Sequence, residues 1–145
     1  MVEIKANVSG QKIVIDSINF ASRADKLMDV YVNKAARNNK GEPLIITTSK
    51  MRNLLDLVNK IYNEVMYFQE DQLTDSQLGD IAYLKVKFAY ESSREKLVKN
   101  FLKTTHMSEL VDDVLRLKTK ESFLLYARYV ESLIAYFKFH GGKDK

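Results

Sequence analysis

The sequence predicts an all-α fold: a compact five-helix bundle with one long central helix and a short N-terminal arm. Three observations carry this expectation. One proline and five glycines in 145 residues leave few interruptions to helix. Apolar residues recur at three- and four-residue spacing through five separate stretches. With 46% hydrophobic and 29% charged residues the chain has enough apolar surface for a core, and its length suits one domain over residues 1–145.

Residues 1–17 read as a loosely ordered arm, although Lys12-Ile13-Val14-Ile15-Asp16 is apolar enough for a short strand. A first helix follows over about 17–37, with Ile18, Ala21, Ala24, Met28, Tyr31 and Val32 on its apolar face. Asn38-Asn39-Lys40-Gly41-Glu42-Pro43 is a loop. Thr47-Thr48-Ser49 then offers hydroxyls to cap a second helix, whose apolar arc is Met51, Leu54, Leu55, Val58, Ile61, Tyr62 and Val65. Thr74-Asp75-Ser76-Gln77 has the form of a capping box, with Leu73 and Leu78 as its hydrophobic staple. No glycine or proline follows Gly79, so this helix is expected to run to about Lys103, a length of about 45 Å. Thr104-Thr105-His106 ends it, Ser108 caps a short helix to Leu117, and a last helix spans about 120–139. Residues 141–145 read as a flexible tail.

Whole classes of chemistry have no foothold. Zero cysteines exclude disulfides, thiolate metal sites and cysteine nucleophiles, and they fit a cytoplasmic protein. No apolar run is long enough for a membrane span. Phosphate loops, His-Glu-x-x-His and Gly-x-Ser-x-Gly are all missing. His106 and His140 lack ligands at metal-binding spacing, and read as surface or packing residues. Asp112 and Asp113 point about 100° apart on a helix, which reads as a solvated face. The expectation is a protein that is not an enzyme and needs no metal or cofactor.

Charge is more informative. The net charge is +4, and residues 81–107 alone account for it, with Lys85, Lys87, Arg94, Lys96, Lys99 and Lys103 against Glu91 and Glu95. On one continuous helix Lys85, Lys96, Lys99 and Lys103 fall within about 60° of each other. Such a stripe suits a run of phosphates, or it is merely a solvated face. Lys87, Glu91 and Arg94 instead fall in an arc with Tyr83, Leu84, Val86, Tyr90, Leu97, Val98 and Phe101. An internal ion pair, a subunit interface or a phosphate contact through Arg94 would each explain them; an internal pair would make Glu91→Ala cost roughly 3 kcal/mol. The second helix also opens with Lys50 and Arg52, where the dipole favours acidic residues, and a bound anion would account for that.

Three segments resemble one family, the small subunit of type III-A CRISPR–Cas interference complexes. They are Leu44-Ile45-Ile46-Thr47-Thr48-Ser49-Lys50-Met51-Arg52-Asn53-Leu54-Leu55, then Ile81-Ala82-Tyr83-Leu84-Lys85-Val86-Lys87-Phe88-Ala89-Tyr90-Glu91 with Arg94-Glu95, and Tyr126 to Phe139 followed by Gly141-Gly142-Lys143-Asp144. Ser92-Ser93 stands where the family often has Ala-Gly, and His140 where an aromatic is usual.

The resemblance implies a helical bundle that self-associates into a short filament beside the backbone and large subunits of a Csm-type effector. It implies contact with the target RNA in the guide–target duplex, in antiviral defence, and no chemistry of its own. It marks Lys50, Arg52, Lys85, Arg94, Arg128 and Lys138 as RNA-contact candidates; Lys96, Lys99 and Lys103 join them on helix geometry. The competing expectation is a helical assembly subunit that touches only protein, with Arg128 at a subunit contact. A metal-dependent nuclease would need a carboxylate cluster assembled across helices.

Overall fold

The computed structural model describes residues 2–142. Among them the elements are β1 (Glu3–Val8), β2 (Gln11–Asp16), α1 (Phe20–Asn33), α2 (Thr48–Val65), α3 (Asp75–Arg94), α4 (Lys96–Thr105), α5 (Met107–Leu117) and α6 (Lys120–Phe139). The fold is therefore not strictly all-α, and it has six helices rather than five.

The expected arm is an antiparallel hairpin, Ile4 opposite Ile15 and Ala6 opposite Ile13. Alternation sets it: Ile4, Ala6 and Ile15 point into the core while Glu3, Lys5 and Asn7 face out. Ser9 and Gly10, both at positive φ (52° and 80°), make the two-residue turn that the twist of a hairpin favours. The open edge of β1 is tied down by α5. There the buried Asp113 carboxylate accepts the Lys5 N–H at 2.9 Å and the Arg116 Nε–H at 2.7 Å. That hydrogen bond and the carboxylate charge raise the Arg116 pKa. Asp113 is thus a buried structural residue, and the solvated reading holds only for Asp112.

The capping box at Thr74 and Gln77 forms as expected, with both reciprocal hydrogen bonds present. The long helix does not. It breaks at Glu95, whose backbone is extended (φ −152°, ψ 124°). Ser93 Oγ donates to the Tyr90 carbonyl, drawing on the backbone just before the break. The physical reason is reach: a straight rod would carry Val98, Phe101 and Leu102 past the core. Folding back buries all three, with the Phe101 ring edge-on to Tyr31 at 5.5 Å.

The central helix is α6, which packs against α1, α2, α5 and both strands. Tyr126 and Tyr129, fully buried on it, donate hydroxyls to the carbonyls of Met107 (2.6 Å) and Thr105 (2.9 Å). These flank His106, whose left-handed backbone (φ 59°) turns α4 into α5. At the other end Gly141 N–H bonds to Lys138 O and Gly142 N–H to Phe137 O, a Schellman stop. A side chain on Gly142 would overlap the Phe137 ring. Of the expected tail, residues 141–145, the first two form this stop, and 143–145 lie outside the described residues.

Two outcomes follow. Asp113→Ala leaves the Lys5 N–H without its acceptor and should cost about 1–3 kcal/mol in urea unfolding, whereas Asp112→Ala should stay within about 1 kcal/mol. Alkaline pH should also unfold the protein. Burial pushes the Tyr31 hydroxyl up to about 12 from an ordinary 10.0, with the Ile46 N–H hydrogen bond opposing it. Burial raises Tyr126 and Tyr129 as well. The folded chain holds these protons more tightly than the unfolded one, so stability is complete below about pH 10 and is lost as pH rises above it. Circular dichroism with tyrosinate absorbance should show ionisation and unfolding together.

Candidate nucleic-acid interface

The break at Glu95 separates Lys85 from the three lysines that one straight helix would have aligned with it. Lys85 stays on α3, beside the buried Ile81, Leu84 and Phe88, and its ammonium meets both oxygens of Asp112 on α5 at 2.7 and 2.9 Å. It is an interhelical tie, not a member of an open stripe. Lys96, Lys99 and Lys103 lie on α4 instead. There Val98, Phe101, Leu102 and Thr105 are buried, so the three lysines and Asn100 share the opposite, exposed face within about 100° of arc. Among the described residues these lysines have no ion-pair partner.

The start of α2 reaches the same break. Thr47 is the N-cap, its hydroxyl accepting the Lys50 N–H at 3.2 Å. The Lys50 ammonium lies 3.5 Å from the Glu95 carboxylate. This ion pair ties the start of α2 to the residue that precedes α4. The anion expected there has a carboxylate of this chain in its place, at least for Lys50. Arg52 is exposed and unpaired among the described residues.

Arg94 lies 3.8 Å from Glu91 and over the Tyr90 ring at 5.5 Å. The arc holding Lys87, Glu91 and Arg94 is solvent-facing, because Tyr83, Val86 and Tyr90 are 55%, 56% and 62% exposed. The internal ion pair expected there is therefore a surface pair. The charges in the arc were themselves the signal that it faces out. Arg128 and Lys138 are exposed on α6, and among the described residues no hydrogen bond or ion pair joins their side chains to the α4 cluster. His140, read as a surface or packing residue, bonds Asp25 on α1 at 2.6 Å. No group of three or more His, Asp or Glu able to hold a metal exists among the described residues, and none of the helices described is long and apolar enough to cross a membrane.

The residues around this break, together with most of the chain, have known relatives. Residues 22–143 match the family described as Csm2 Type III-A. The chain belongs to that family. A CRISPR system Cms protein Csm2 of Enterococcus italicus is 40% identical over 144 residues, 96% of this chain and 97% of the relative. The protein of the same name from Streptococcus thermophilus is 36% identical over 121 residues, 79% of this chain and 93% of the relative. That of Mycobacterium tuberculosis is 31% identical over 100 residues, covering 69% and 79%. The resemblance carried by the three segments is thus established, and this chain is a Csm-type small subunit. The family match runs from within α1 through α6, and the hairpin precedes it.

Pairing on the surface sets the expected stability effects. Glu91→Ala should cost no more than about 1 kcal/mol, since it removes one partially exposed pair rather than a buried one. Replacing Lys96, Lys99 and Lys103 together by Ala should stay within about 0.5 kcal/mol for each site. Melting curves of both variants check this, and a several-degree loss in the triple variant would show the α4 face to be packed.

Proposed function

We propose that this Csm2 protein is a non-catalytic, cytoplasmic subunit that stacks in several copies along the guide–target duplex of a type III-A effector complex. In this reading it holds target RNA by its backbone without reading sequence. The observation that supports it best is the α4 face: three exposed lysines and Asn100 that, among the described residues, no carboxylate pairs with. Unpaired ammonium groups remain available to phosphates, which release counterions on binding. Lys85 drops out as a principal contact because Asp112 occupies it, while Arg52 and, on displacement of Glu95, Lys50 extend the basic surface around the break. Guide pairing supplies sequence discrimination, so charge and shape are all the protein must recognise.

The outer face of α6 favours a second role within the same assembly. Arg128 and Ala135 are exposed there, and Phe139 is 76% exposed. An apolar residue left so open, on the same helix face as an arginine, suits contact with a neighbouring copy or with another subunit.

Titration of labelled single-stranded RNA at several salt concentrations tests this function. Binding should be weak, tolerant of sequence and lost at moderate salt, and no cleavage should follow addition of Mg²⁺ or Mn²⁺. The triple lysine variant should flatten the log–log salt slope by about 2, near 0.7 per phosphate contact. Metal-dependent cutting that persists through purification would overturn the non-catalytic reading.

A further inference from the structure

The α4 lysines do not explain the outward face of α3. Tyr83, Val86 and Tyr90 stand more than half exposed there, at the i, i+3 and i+7 spacing that normally marks a buried stripe. With Leu57 of α2, Lys87 and Glu91 they line a groove of about 300 Å³. Exposed apolar side chains gathered in a concavity mark a surface that something covers.

The groove has a repeat. Lys87 holds its ammonium 5.2 Å from the centre of the Tyr83 ring, and Arg94 holds its guanidinium 5.5 Å from that of Tyr90. Each ring therefore has a cation four residues on, and the two units are seven residues, or about 10.5 Å, apart along the helix. One flat ring with one adjacent cation matches the two halves of a nucleotide, a base to stack and a phosphate to neutralise. Arg94 also engages the Glu91 carboxylate, offsetting the one negative charge in the groove. Arg94 closes α3 two residues before Lys96 opens α4, so the chain passes directly from the ring-and-cation repeat to the α4 lysines.

We infer that the Tyr83–Tyr90 groove is a stacking site for unpaired nucleotides of an RNA strand whose phosphates lie along the α4 lysines. The inference rests on the RNA-binding reading above and adds base contact to it, independent of sequence because every base has a stacking face. A partner helix would also cover Tyr83, Val86 and Tyr90, but it would not call for a cation at each ring.

The test compares a single-stranded oligouridylate with a base-free ribose-phosphate strand of the same length, titrated at low salt against the full chain. The native protein should bind the oligouridylate at least about fivefold more tightly. Tyr83→Ala with Tyr90→Ala should abolish that preference while leaving affinity for the base-free strand unchanged, and the double Phe variant should keep it. The Lys96, Lys99 and Lys103 triple variant should weaken both strands and preserve their ratio. Equal binding of the two strands by the native protein overturns the stacking site and leaves the phosphate reading standing. No binding of either strand overturns both. A double Ala variant that keeps the preference, yet no longer co-purifies with the other subunits of its complex, makes the groove a protein-docking face and also overturns the inference.

Discussion

A helix whose buried face covers more than half of its circumference must be packed from several directions, and α6 imposes that demand on the rest of the chain. Phe123, Tyr126, Tyr129, Val130, Leu133 and Phe137 form its buried centre, and Leu125, Ala127 and Ile134 widen the buried face to about 200° of arc. Burial of so many large side chains is the main favourable term available to a domain of this size. It is met by α1 and α2, by α5, and by the hairpin, each laying one apolar face on α6. The two tyrosines add direction to this burial. Their hydroxyls need partners inside the core, and they find them in the carbonyls on either side of the His106 turn. That fixes where α4 ends and α5 begins.

The same demand explains the division of charge. Once α4 folds back to bury Phe101 against Tyr31, the lysines that follow Glu95 part company with those that precede it. Lys85 turns toward α5 and is neutralised by Asp112, whereas Lys96, Lys99 and Lys103 are left on an open face. Lys50 is drawn to Glu95 because α2 begins beside the break. The basic surface of this protein is thus a consequence of one bend.

Local signals were legible wherever one short segment supplies both partners of an interaction. The reciprocal hydrogen bonds of Thr74 and Gln77, the Thr47 cap and the bounds of α6 could be read because each lies within one helical turn or one periodic stretch. The hairpin was legible too, in the alternation of Ile4 and Ala6 with polar neighbours and in the Ser9-Gly10 pair. An apolar run in only its second strand concealed it. The RNA-contact candidates divide in the same way: exposure of Arg52, Lys99 or Arg128 follows from helix phase alone, while neutralisation of Lys85 depends on a residue 27 positions away.

Sequence by itself determined that the chain is largely helical, where most helices start, its excess of basic charge, and its resemblance to Csm-type small subunits. These depend on composition, local hydrogen bonding and periodicity, which need no distant partner. Only the tertiary structure decided that the longest helical stretch bends at Glu95, that Asp113 is a buried clasp for β1, and that Asp112 neutralises Lys85. Neither glycine nor proline marks the bend; it exists because Val98, Phe101 and Leu102 are buried only when α4 folds back, and that gain depends on where the rest of the core lies.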